Sequence, residues 1–263
     1  VKLLTLNCHS WQEENQLEKI KYLAEVIKER DYDVIALQEV SQLIKEAKEF
    51  KNIKKDNFAL LLIKELKKIG VNNYSFTWDY SHVGYDIYEE GLCLLTKCNI
   101  IEEDSFFISK GEDLNFWKTR KIVKLKVNYK NTPISLYSCH LGWWKDEEEP
   151  FKYQVDKLLE TLDNDEISIL MGDFNNSATI KGEGYDYIIE KGLYDTYYLA
   201  ETKDKGITVK GKIAGWEKNS EDLRLDMIFS NKPLKVNYSN VIFNGEKKEI
   251  ISDHFGVEVE LDL

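Results

Sequence analysis

Ile167-Ser168-Ile169-Leu170-Met171-Gly172-Asp173-Phe174-Asn175-Asn176 decides how this chain is read. An apolar run rich in β-branched residues predicts a buried strand. It ends at a glycine, followed by an acid and an amide two residues apart. If strand alternation continues to the end, Asp173 and Asn175 point to the same side. A carboxylate beside a carboxamide at the mouth of a sheet suits a metal ion, an oxyanion, or a water about to attack one. The stretch alone leaves these open, so its partners must be sought along the chain.

Working outward, residues 2–6 read as a buried strand ending at Asn7. Residues 13–30 read as an amphipathic helix, with Leu17, Ile20, Leu23, Ala24 and Ile27 at helical spacing. Residues 33–37 are an apolar strand that ends in Gln38-Glu39. The lysine- and glutamate-rich residues 41–56 predict a solvated helix or loop. Residues 57–69 predict a second amphipathic helix closed by Gly70. Strands are predicted over 74–78, 91–96, 121–127, 134–139, 167–171, 223–229 and 256–261, and a third helix over 150–162. Strands dominate and helices are few, so two packed sheets with helices outside is the natural layering. No internal repeat, low-complexity segment or Pro- and Gly-rich linker divides the 263 residues, and one domain over 1–263 is expected.

Hydrophobic residues make up 43% of the chain, enough for a sizeable core, and the charges are mixed in sign, which is not a disordered composition. The formal net charge of −11 argues against a partner gripped through its phosphate backbone, which calls for a basic face. Cys8, Cys93 and Cys139 lie in apolar runs, and with Cys98 they form no C-x-x-C pair, so buried reduced thiols are expected. No apolar run reaches transmembrane length and no secretion signal is visible, so no membrane contact and a cytoplasmic location are expected.

Six strand ends carry polar groups: Asn7, Glu39, His140, Asp173 with Asn175, Asp226, and Asp253 with His254. Singly, each has an ordinary reading: a helix cap for Asn7, a solvated turn for Glu39, a core histidine for His140, a surface acid for Asp226. Together they resist it, because semi-buried acids are costly unless paired or metal-bound. Convergent, they suit metal-assisted hydrolysis of a phosphate ester. Glu39 can hold Mg²⁺, with Mn²⁺ as the alternative. Asp173 can orient or deprotonate the attacking water. Asn7, Asn175 and the histidines can donate to phosphoryl oxygens. Asp226 is a candidate partner that would fix the tautomer of His254.

The motifs Leu4-Thr5-Leu6-Asn7, Val34-Ile35-Ala36-Leu37-Gln38-Glu39, Tyr137-Ser138-Cys139-His140-Leu141, Met171-Gly172-Asp173-Phe174-Asn175, Arg224-Leu225-Asp226-Met227-Ile228-Phe229 and Ser252-Asp253-His254-Phe255 occur in that order. In this the chain resembles the endonuclease/exonuclease/phosphatase, or deoxyribonuclease I-like, superfamily. The resemblance implies an α+β fold, a four-layer α-β-β-α sandwich of two mostly antiparallel sheets with the site at one edge. It implies a metal held by Glu39 with Asn7 and Asp253 nearby, and Asp173 acting on the water. It also implies phosphate contacts from Asn175, His140 and His254, with Asp226 behind His254. Glu90, directly before Gly91, falls where many members place an acid that supports the first histidine.

The superfamily spans nucleases, sphingomyelinases and phosphatases, and fold cannot choose among them. Trp143 and Trp144 follow His140 closely, and Trp216 precedes the Asp226 strand. Their faces suit sugar rings, although loop packing or base stacking would also use them. Arg120 offers positive charge to a phosphomonoester dianion. Segments 140–151 and 214–229 also resemble bacterial maltose 6′-phosphate phosphatases. A small phosphorylated sugar is therefore the expected substrate. The alternatives are a phosphodiesterase, nuclease or sphingomyelinase-like, and an inactive binding protein.

Overall fold

Alternation within strands settles which way each strand end points. The computed structural model describes residues 1–263. Its first half runs β1 (Lys2–Asn7), α1 (Gln16–Arg30), β2 (Val34–Leu43), β3 (Lys48–Phe50), β4 (Ile53–Lys54), α2 (Phe58–Lys68), β5 (Ser75–Gly84), β6 (Tyr88–Thr96), β7 (Asn99–Phe107) and β8 (Lys121–Tyr129). It continues with β9 (Thr132–His140), α3 (Phe151–Leu159), β10 (Ile167–Asp173), α4 (Gly184–Glu190), β11 (Tyr194–Asp195), α5 (Thr196–Leu199) and β12 (Ala200–Lys203). The last elements are β13 (Val209–Lys210), β14 (Asp222–Leu223), β15 (Asp226–Ser230), β16 (Lys235–Ile242) and β17 (Gly256–Asp262).

A seven-stranded sheet has the order β12-β16-β17-β1-β2-β6-β5, and a six-stranded sheet the order β11-β15-β10-β9-β8-β7. Most pairs are antiparallel; β1–β2, β12–β16 and β9–β10 are parallel. Leu4 and Leu6 of β1 pack with Ile20, Leu23 and Ile27 of α1, outside the first sheet. Leu3, Val34 and Ala36 meet Val123, Leu136, Ile169 and Met171 between the sheets. Leu170, Met227 and Phe229 pack with Phe151, Val155 and Ile188 of α3 and α4 outside the second. Three separate cores thus define the four expected layers.

The same parity carries the polar strand ends. Asn7 follows Leu3 and Thr5, His140 follows Leu136 and Ser138, Asp173 follows Ile169 and Met171, and Asp226 precedes Ile228. Each therefore continues the inter-sheet face at the point where the apolar filling stops. Register then aligns them, because Asp173 sits opposite His140 on β9 and opposite Asp226 on β15. Buried polar contacts hold the two sheets together just below: Gln38 donates to Ser138 Oγ at 3.1 Å, and Ser138 donates to the Leu37 carbonyl at 3.1 Å.

Several predicted elements differ. Residues 41–56 form no helix: they are the end of β2, an exposed loop over residues 44–47, and the β3–β4 hairpin. Most of the stretch is exposed, but Ser41, Gln42 and Lys54 face inward. Gln42 is buried, bonding the Asn52 carbonyl and Glu89, while Lys54 caps the Leu43 and Ile44 carbonyls. Helix α1 begins at Gln16 rather than residue 13, and Leu17 stays 57% exposed. Strands β7 and β16 escaped prediction because β7 is a charged edge strand and β16 mixes Asn, Ser and Tyr into its ladder. All four cysteines are free, and Cys8, Cys93 and Cys139 are buried. No helix is long and apolar enough to cross a membrane.

Candidate active site

Gly172 is what lets β10 deliver Asp173. A Cβ at Gly172 would lie 1.9 Å from the Cys139 carbonyl oxygen, so no side chain fits between β9 and β10 there. After Asp173 the strand stops. Asn175 takes φ +49°, and its backbone N–H donates to Asp173 Oδ1 at 2.8 Å. Asp173 and Asn175 are thus neighbours through a tight turn, not through strand alternation, which corrects the expectation. Glu39 is turned in a similar way: it sits at φ +52° where the β2–β6 register shifts between Leu37 and Val40. His9, Tyr85 and Asp86, which line the same site, are left-handed too, so backbone strain gathers there.

The predicted strand ends converge. Asn7 Nδ2 donates to Glu39 Oε1 at 2.8 Å and to Asp173 Oδ2 at 3.2 Å, bridging the two sheets. His140 Nε2 lies 3.9 Å from Glu39 Oε1 and 3.8 Å from Asp173 Oδ2. His254 Nδ1 meets Asp226 Oδ2 at 2.9 Å, and its Nε2 lies 3.8 Å from Asp173 Oδ2. Asn175 donates one amide hydrogen to the Leu141 carbonyl at 2.9 Å, leaving the other free. Asp253 is partly exposed at the rim, 3.6 Å from His9 Nδ1.

Electrostatics sort these groups. Burial, then the Glu90 and Asp253 charges, push Glu39 up to about 8. Burial and the Asp226 charge push Asp173 up to about 6, against the His254 charge. Burial alone would lower His254, but the Asp226 and Asp173 charges outweigh it and hold the ring well above the usual histidine range. Burial, helped by the Arg120, His82 and His254 charges, drops His140 well below it. One histidine is therefore held charged and the other neutral.

The oxygen-rich group of Glu39, Asn7 and Asp253 fits a hard divalent cation. Glu39 is raised by burial and then by the Glu90 and Asp253 charges, which the His254 charge only partly offsets, an imbalance that an ion would remove. Two further groupings can contribute ligand atoms: His9 with Glu13 and Asp253, and Asp173 with Asp226 and His254. Glu13 is already paired with Lys19, and His254 with Asp226, so neither is as open as Glu39.

Glu39, His140, Asp173, Asn175, Asp253 and His254 form the floor of a cleft of about 500 Å³, with the buried Asn7 and Asp226 behind them. All four histidines of the chain, His9, His82, His140 and His254, line it. That the chain has only four histidines is the signal in the sequence by which His9 and His82 could be placed at the site. Trp117 carries no such signal in the sequence: the residue is 51% exposed, its ring stands 5.9 Å from that of Trp143 at 58°, and both line the cleft. Arg120 lines it too, buried beneath Trp143. Its Nη1 donates to the Trp117 and Thr119 carbonyls, Nε has no partner, and no carboxylate pairs with it.

Three expected positions are corrected. Trp144 does not line the cleft: it packs on Phe151 and Tyr187, with Lys152 over its ring, because α3 and α4 leave an apolar gap there. Trp216 packs with the small cluster of Val209, Leu223 and Leu225, and its Nε1 donates to Asn175 Oδ1 at 3.3 Å. It braces Asn175, while its neighbours Gly215 and Glu217 reach the cleft. Glu90 lies in the cleft, but its histidine is His82 at 3.2 Å rather than His140. The cause is strand pairing, since Glu90 stands opposite His82 in the β5–β6 ladder.

Paired sheets between helices, with polar strand ends gathered at one edge, define the deoxyribonuclease I-like class. The chain belongs to the Endonuclease/Exonuclease/phosphatase family, whose match spans residues 4–254. Phosphoester hydrolysis is the chemistry of that family, and its members generally depend on a metal. A solved endonuclease/exonuclease/phosphatase family protein from Leptotrichia buccalis C-1013-b is 43% identical, with a TM-score of 0.94 over 100% of both chains. The Bacteroides thetaiotaomicron VPI-5482 mannosyl-6-phosphatase Bt3783 is 18% identical, with a TM-score of 0.74 over 100% of both chains. A truncated Caenorhabditis elegans TDP2 is 16% identical, with a TM-score of 0.66 over 100% of this chain and 97% of its own. At these lower identities the likeness is one of fold. No curated protein matches the sequence.

Proposed function

We propose that this protein is a Mg²⁺-dependent phosphomonoesterase of the cytoplasm that removes phosphate from a phosphorylated sugar such as maltose 6′-phosphate. The observation that carries the reading is Arg120: a buried guanidinium with no carboxylate partner, in the same cleft as the exposed Trp117 and the half-buried Trp143. An unpaired buried cation is costly until an anion meets it, and a dianion meets it best. Paired indoles offer flat apolar faces that suit sugar rings. The volume suits a small ligand. The acidic balance of the chain argues against a nucleic-acid partner. The mannosyl-6-phosphatase supports the choice only as a likeness of fold.

Glu39, Asn7 and Asp253 would hold the cation, which would supply positive charge to offset that of the phosphoryl group. Asp173, raised to about 6, is poised to take a proton from water near neutral pH. His254, kept charged by Asp226, donates to a phosphoryl oxygen; His140, kept neutral, donates from its protonated nitrogen, and Asn175 from its free amide hydrogen. Arg120 meets the remaining negative charge.

A substrate panel tests this. Purified protein with Mg²⁺ or Mn²⁺ is offered maltose 6′-phosphate, hexose phosphates, plasmid DNA, RNA and sphingomyelin. Phosphate release from the sugar phosphates alone is expected. DNA nicking or sphingomyelin cleavage at comparable kcat/KM would replace the reading with a phosphodiesterase. No turnover with intact cation binding would make the protein a binding module.

A further inference from the structure

His82 separates two groups that would otherwise neutralise each other. Its buried ring meets an acceptor on each side: Nδ1 lies 3.2 Å from the Thr119 carbonyl oxygen, and Nε2 lies 3.2 Å from Glu90 Oε1. The same Thr119 carbonyl accepts from Arg120 Nη1 at 3.2 Å, so one backbone oxygen ties imidazole and guanidinium together. Glu90 exerts the largest charge effect on Arg120, and both line the cleft, yet no ion pair joins them. The carboxylate is turned to His82 instead. Gly84 makes room for that turn, since a Cβ there would lie 3.1 Å from Glu90 Oε2.

A carboxylate free to reach Arg120 would compete with any anionic ligand, because guanidinium–carboxylate pairs are strong and bidentate. We propose that His82 is a specificity-determining positioning residue: by holding Glu90 away from Arg120 it keeps the guanidinium open to a phosphate dianion. The inference rests on Arg120 as the phosphate receptor, as proposed above.

Calorimetric titration of inorganic phosphate into the Mg²⁺-loaded protein tests it without requiring turnover. His82→Asn, too short to span both acceptors, is expected to weaken phosphate binding about tenfold through Glu90 closing on Arg120. Adding Glu90→Gln to that variant is expected to restore binding to within about threefold of wild type, a rescue that a purely structural role for His82 does not give. His82→Ala, with and without Glu90→Gln, repeats the comparison should the asparagine variant fold poorly. Unchanged binding in the His82 variants, or no rescue by Glu90→Gln, overturns the inference. Failure of Arg120→Gln to weaken phosphate binding marks the separate failure of Arg120 as receptor.

Discussion

Asp173 and Trp117 line the same cleft and are held there in opposite ways. Asp173 ends a buried strand, fixed by ladder register to His140 and Asp226. Trp117 stands on the stretch between β7 and β8, where the Phe116 N–H donates to the Asp113 carbonyl and the Thr119 hydroxyl donates to the same oxygen. The floor is therefore positioned by the hydrogen-bonded frame of the whole sandwich, and the wall by local turns. Chemistry needs the first kind of precision, whereas choice of substrate tolerates the second.

The sharpest way to break this contrast is at the floor. Asp173→Asn keeps an oxygen for the Asn175 N–H but removes the charge, so kcat is expected to fall about 10³-fold or more while phosphate binding persists. Near-normal single-turnover rates would remove Asp173 from the chemistry. Next comes Gly172→Ala, which drives a Cβ toward the Cys139 carbonyl and should cost about 3 kcal/mol or more in denaturant unfolding. Trp144→Ala should cost about 2 kcal/mol of stability and leave KM alone, since its ring fills an apolar gap away from the cleft. Trp117→Ala should do the reverse, raising KM about tenfold for a disaccharide phosphate and little for a small artificial monoester, as expected when only binding contacts are lost. Equal effects on both substrates would make the tryptophan a packing residue.

The smallest expected effect is a pH slope. Glu39 rises from 4.5 to about 8 on folding, and His254 is raised from 6.5. Across pH 6.5 to 8 both retain protons in the folded protein that the unfolded chain has released, so the cation-free protein loses stability as pH rises through that window. Glu39→Gln should make the slope shallower. Saturating Mg²⁺ should raise Tm more at pH 8 than at pH 6.5, because the ion needs the carboxylate ionised. A Tm shift independent of pH would exclude Glu39 as its ligand.

The floor was legible in the sequence and the wall was not, for the same reason. Asn7, His140, Asp173 and Asp226 interrupt apolar runs with a period of two, and that pattern survives into structure because both sheets obey it. Glu39 was legible by position, although nothing in the sequence signalled its left-handed backbone. Trp117, Trp143 and Trp144 illustrate the limit. Three tryptophans lie near site motifs, and only packing against α3 and α4 shows that Trp144 belongs to the core edge. Glu90 was legible as an acid beside Gly91, but its partner depended on the β5–β6 register, and β5 runs on to Gly84, well past its predicted end at residue 78.

The contact between Asn7 and Asp173 spans 166 residues of sequence. Links of that separation form only after most of a chain has condensed, so the two sheets must dock before the site exists. The residues gathered at and behind its floor run from Asn7 to His254, which means that a growing chain carries no working half-site at any stage of its synthesis. Hydrolysis would thus be a late reporter of assembly: a refolding trace followed by activity should lag behind one followed by strand content.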